Sequence, residues 1–158
     1  MVQTVPHVIH GQLFTDSQAS FLAVYNSASG QKIAQVAIAG EDLCHQAVQA
    51  AQVAFESWSA TPPAKRAHIL FKFRELLDKH QAELAALVTR EHGKTLDDAA
   101  GSILRAIEVV EMHCGLLSEL QGTFSANVST AMDCWTTHEP LGVCAGVSPF
   151  NFPVMVPA

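Results

Sequence analysis

Residues 141–147, Leu141-Gly142-Val143-Cys144-Ala145-Gly146-Val147, carry no charge on either face of a would-be strand. A strand that is apolar on both faces belongs in the middle of a largely parallel sheet covered by helices, and it needs neighbours. Only Ser148 to Ala158 follow, another uncharged stretch without a stop signal. The expected class is therefore α/β, and the sequence reads as the front portion of a longer protein, cut where a βαβ unit begins.

Ahead of this run the pattern is mixed. The segments 8–13 and 21–25, then 31–38 after the turn-forming Asn26-Ser27-Ala28-Ser29-Gly30, read as small strands. From Asp42 to Trp58 the residues Leu43, Ala47, Ala50, Ala51, Ala54, Phe55 and Trp58 fall at helical spacing, after the acidic start Glu41-Asp42. Thr61-Pro62-Pro63 opens a second helix that the periodicity carries to about His92. Its expected core stripe is Ile69, Leu70, Phe73, Leu76, Leu77, Leu84, Leu87 and Val88. Gly93 stops it as a glycine just past a helix end, and a third helix presents Ala99, Ile103, Ile107, Val110, Cys114 and Leu117 on one face. Beyond Gly122 the alternation through 128–138 is strand-like and ends before Pro140.

Composition excludes several function classes. Nine Lys plus Arg against 15 Asp plus Glu give a formal charge of −6, so the clustered cations that neutralise nucleic-acid phosphates are missing. No apolar run reaches the roughly 18 residues of a membrane span, and the start Met1 to His7 lacks a basic region followed by an apolar one, which leaves the cytoplasm as the expected compartment. Cys44, Cys114, Cys134 and Cys144 show neither CxxC spacing nor grouping with histidines, so no metal site is expected and each reads as a small buried thiol.

Two motifs bear on chemistry, and a third is missing. Gly93-Lys94-Thr95 has the ending of a phosphate-binding loop, but position 88 is Val where a Gly is required and a helix precedes it, so a helix break is the better reading. No GxGxxG is present. Ser148-Pro149-Phe150-Asn151-Phe152-Pro153 places an amide at the end of the apolar run, where α/β sheets bind ligands. An Asn there either serves a tight turn between prolines or donates to a developing oxyanion, which is worth roughly 2.7–4 kcal/mol in a hydrolase.

The run PLGVCAGVSPFNFPVMVP at 140–157 resembles the start of the nucleotide-binding domain in the aldehyde dehydrogenase superfamily. Ile9-His10-Gly11, YNSASGQKIAQV at 25–36, AVQAAQVAFESW at 47–58, Arg66 and EHGKT at 91–95 follow the family's order, so the resemblance covers essentially the whole chain. EHGKT, RAIEVVE at 105–111, NVSTAMD at 127–133 and PFNFPVMVP resemble the methylmalonate-semialdehyde dehydrogenase branch, which is acylating and uses coenzyme A. The resemblance implies that 1–122 are N-terminal strands and helices of the NAD-binding domain. It makes 123–139 an oligomerisation strand pair, and 140–158 the incomplete start of the dinucleotide-binding sheet.

It also assigns residues. Asn151 matches the oxyanion-hole Asn, Ser148 and Phe150 match positions beside NAD, and Arg105 matches an Arg for the substrate carboxylate. At 100° per residue Arg105 lies opposite the Ile103, Ile107 and Val110 stripe, so by spacing alone it reads as a solvated Arg paired with Glu108, and only the resemblance favours the carboxylate role. The implied activity is NAD-dependent oxidation of a small carboxylated semialdehyde to an acyl-CoA by a homo-oligomer, a tetramer in the family, through a Cys thiolate. That Cys lies downstream in the family, so this chain by itself is expected to be inactive. The alternatives are a non-catalytic binding or assembly module derived from the family, and a semialdehyde dehydrogenase that uses water instead of coenzyme A.

Overall fold

The computed structural model describes residues 2–15, 20–115 and 117–158; Met1, 16–19 and Leu116, all within the expected 1–122 unit, lie outside the described residues. Five short strands open the chain: β1 (Gln3–Val5), β2 (His7–Ile9), β3 (Gln12–Phe14), β4 (Phe21–Tyr25) and β5 (Lys32–Ala37). β5 is central in a three-stranded sheet, parallel to β1 and antiparallel to β4. The sequence reading missed β1 and took 8–13 as one run. His10 and Gly11 instead divide it, both with positive φ as a two-residue hairpin turn requires, and β2 pairs β3 across them.

Four helical segments follow: α1 (Glu41–Ser59), α2 (Pro63–Lys79), α3 (Gln81–His92) and α4 (Leu96–Cys114). The expected single helix from Pro63 to His92 is two helices. They meet at His80, whose φ of −105° and ψ of 15° leave the helical region. Side chains staple the joint, Gln81 Nε2 donating to Asp78 Oδ1 at 2.9 Å and His80 Nδ1 lying 3.0 Å from Glu83 Oε2. Neither Gly nor Pro marks this break, so periodicity could not register it.

The core forms on α4. Ala99, Ile103, Ala106 and Val110 have no exposed surface, and Leu77 of α2 with Ala85 and Val88 of α3 close over this face. Burying each of the larger side chains among them, Ile103, Val110, Leu77 and Val88, is worth about 1.5–3 kcal/mol. The expected stripes are only partly realised: Ile69, Phe73, Leu76, Leu87 and Leu117 are exposed, and α1 buries no residue at all. Arg74 ties α2 to α4 through Nε to Glu111 Oε1 at 2.8 Å, a hydrogen bond that pushes its guanidinium further above its ordinary range.

β6 (Phe124–Ser129) and β7 (Met132–Trp135) form an antiparallel hairpin whose residues are all exposed. Residues 141–147, expected as a buried strand, pair with no described strand, and Leu141 and Val147 are 94% and 100% exposed. Gly142, at φ +99°, breaks the extended run, and a strand without a hydrogen-bonded neighbour has no ladder to hold it. The cysteine reading changes with it. Cys144, Cys44 and Cys134 are exposed, and only Cys114 is the buried thiol expected of all of them.

Candidate functional site

The link from α3 to α4 is three residues long, Gly93, Lys94 and Thr95. Gly93 adopts φ +85°, the left-handed conformation that ends a helix without a Cβ penalty, and its N–H donates to Thr89 O at 3.0 Å. Thr95 starts α4 by accepting from the Asp98 N–H at 3.2 Å. The link also receives the N-terminal turn, since Ser27 N and Oγ both donate to Glu91 O, at 3.3 and 2.9 Å. A Cβ on Gly93 would stand 3.0 Å from Ala28 N.

Lys94 points from this link to the turn at 149–153. Its Nζ donates to Asn151 O at 2.8 Å and to Ser102 Oγ at 3.2 Å, and lies 5.1 Å from the centre of the Phe152 ring. Ser102 is buried, and its hydroxyl donates in turn to Asp98 O at 3.0 Å. One residue before Asn151, Phe150 stacks on His92 with ring centres 4.7 Å apart and planes 17° from parallel. An apolar cavity of about 360 Å³ opens beside the stack, lined by Leu84, Val88, Glu91, His92, Ser148 and Phe150 among others. That volume lies at the lower end of the roughly 300–1,000 Å³ typical of ligand sites.

The sequence-assigned residues divide accordingly. Ser148 and Phe150 share the cavity, while Asn151 is exposed on the adjoining turn, held by its backbone carbonyl. No described residue hydrogen-bonds its side-chain amide, so both N–H donors are available. Arg105 is exposed on α4, one turn beyond Ser102, and forms neither the Glu108 pair nor another ion pair among the described residues. Lys94 and His92 were missed as partners of the turn. Both stand in the 91–95 segment that carried the resemblance, but nothing local says what they touch 57 residues away.

The chain with this helical layer, N-terminal sheet and Asn-bearing turn is similar to known proteins over nearly its whole length. The model of the aldehyde dehydrogenase family matches residues 14–158, and the chain belongs to that family. Among curated relatives, malonate-semialdehyde dehydrogenase of Pseudomonas aeruginosa is 44% identical over 154 residues, 98% of this chain and 31% of that protein. The acylating, mitochondrial methylmalonate-semialdehyde dehydrogenase of Arabidopsis thaliana is 41% identical over 99% of this chain and 26% of its own length. The solved methylmalonate-semialdehyde dehydrogenase of Oceanimonas doudoroffii superposes with a TM-score of 0.94 at 45% identity, covering 99% of this chain and 32% of its own. A Sinorhizobium meliloti 1021 protein crystallised with NAD gives the same TM-score at 36% identity, over 99% of this chain and 32% of its own. The chain thus spans between about a quarter and a third of the length of these proteins.

Proposed function

We propose that this chain is the N-terminal part of an NAD-dependent, coenzyme A-acylating dehydrogenase of a carboxylated semialdehyde of the malonate or methylmalonate type. The observation that carries the reading is the meeting of 91–95 with 149–153, which holds the Asn151 turn from two sides and leaves its amide without a partner among the described residues. In this reading residues 1–122 belong to the NAD-binding domain, 123–139 to a sheet through which copies assemble, and 140–158 to the dinucleotide-binding sheet.

Asn151 donates its amide N–H to the oxyanion that forms when a thiolate adds to the aldehyde. Arg105 takes the substrate carboxylate, for which a planar guanidinium offers a bidentate fork. Ser148 and Phe150, a hydroxyl and an aromatic face beside apolar walls, suit part of a dinucleotide, and NAD supplies the hydride acceptor. No cysteine of this chain is assigned the nucleophile's role, and Cys114 is buried besides. In this reading the 158-residue chain alone is inactive and binds NAD weakly or not at all, and the complete enzyme works in the cytoplasm as a homo-oligomer.

The test is the reaction of the complete enzyme. NADH formation that requires a carboxylated semialdehyde and coenzyme A, with an acyl-CoA product, is the expected result. A free acid formed at full rate without coenzyme A would replace the acylating reading with the hydrolytic one, and no oxidation of any aldehyde would overturn both.

A further inference from the structure

We propose that Lys94 is a positioning residue for Asn151, an inference that rests on the oxyanion reading of that Asn. The Gly93-Lys94-Thr95 motif has the wording of a phosphate loop but none of its geometry, since it joins two helices. The ammonium is instead spent inside the protein. Two of its three N–H donors go to Asn151 O and Ser102 Oγ, and the Phe152 ring flanks the charge.

Each of these contacts refers Asn151 to the best-packed element of the fold. Ser102 is 2% exposed, and its hydroxyl is fixed by Asp98 O on the first turn of α4. Lys94 itself leaves the chain one residue before Thr95, whose side chain caps that helix. The grip on Asn151 O fixes the peptide plane between Asn151 and Phe152, and so one of the two backbone rotations that aim the Asn151 side chain. His92 holds the preceding residue by stacking on Phe150. The amide itself stays exposed and has no partner among the described residues, so its placement depends on these backbone restraints. A donor serves an oxyanion only when held within about 0.5 Å of its productive place, and a 1 Å error can cost roughly 100-fold in rate.

Two measurements separate this inference from the reading beneath it. In the 158-residue chain, Lys94→Met should shift the Asn151 carbonyl carbon resonance upfield through loss of the charged hydrogen bond, and Lys94→Arg should restore much of the shift. An unmoved resonance in the Met variant would overturn the Lys94 contact whatever Asn151 does. In the complete enzyme, Lys94→Met should slow single-turnover hydride transfer by about 10- to 100-fold with KM for the semialdehyde little changed, and Lys94→Arg should recover part of the loss. Adding Lys94→Met to Asn151→Ala should cost almost nothing further, because Lys94 acts through that side chain. If Asn151→Ala slows the step and Lys94→Met does not, positioning by Lys94 is wrong and the oxyanion reading stands. If Asn151→Ala leaves the step unchanged, the oxyanion reading falls and takes the positioning role with it.

Discussion

Arg105 and Ser102 stand one turn apart on α4 with opposite fates, Ser102 buried under Lys94 and Arg105 exposed with no ion pair among the described residues. The helical period alone places Arg105 away from the core, and this was legible in the sequence. The structure removes the Glu108 pair that would have given it a purely local role. If its guanidinium binds the substrate carboxylate, Arg105→Leu in the complete enzyme should lower kcat/KM for carboxylated semialdehydes by roughly 10- to 150-fold, the equivalent of about 1.5–3 kcal/mol for a charged hydrogen bond. Propanal, which lacks the carboxylate, should be oxidised almost as before, and Arg105→Lys should recover only part of the loss. Equal losses on both substrates would make Arg105 a support for α4 or for assembly instead.

At the scale of elements, the α3–α4 link bears on both stability and the site. Gly93→Ala forces a Cβ into a left-handed residue, at about 1–2 kcal/mol, and against Ala28 of the N-terminal turn. The expected result is a lower Tm, and faster amide exchange at Ser27 as its bonds to Glu91 O loosen. Thr95→Ala removes a helix cap and should cost about 0.5–2 kcal/mol in denaturant unfolding, with Ser27 unaffected. Unchanged unfolding in the Thr95 variant would mean that Asp97 and Asp98 satisfy the first turn without the hydroxyl. Whereas the Thr95 cap emerged only with the structure, the stop at Gly93 was readable because a glycine end is a local signal. The His80 break was not, because it rests on side-chain contacts between residues that all suit a helix.

For the whole molecule, the least satisfied region is 124–147. Phe124 and Trp135, paired across the β6–β7 hairpin, are 65% and 70% exposed, and 141–147 pair with no described strand. Unpaired edges beside apolar side chains template association. The chain should therefore self-associate with concentration in size-exclusion chromatography with light scattering, and Val147→Lys should shift it towards monomer by setting a charge in the fully exposed part of the run. A sharp monomer at high concentration in the unsubstituted chain would contradict this.

Local chemistry accounts for what could be read without a structure: the helix end at Gly93, most of the buried face of α4, and the Asn151 turn with its family wording. Each depends on residues within a few positions of one another, where spacing and capping act directly. Burial was misjudged on α1 and in 141–147, where no partner covers the apolar residues among the described ones. α1 shows a full apolar stripe yet buries nothing, and Cys144 sits in an uncharged run yet is exposed. The hold of Lys94 on Asn151 was beyond local reasoning for the same cause, since 57 residues separate them and only the packing of α4 brings them together. A side chain's own chemistry sets which contacts it can make, and the folded chain alone decides which of them are within reach.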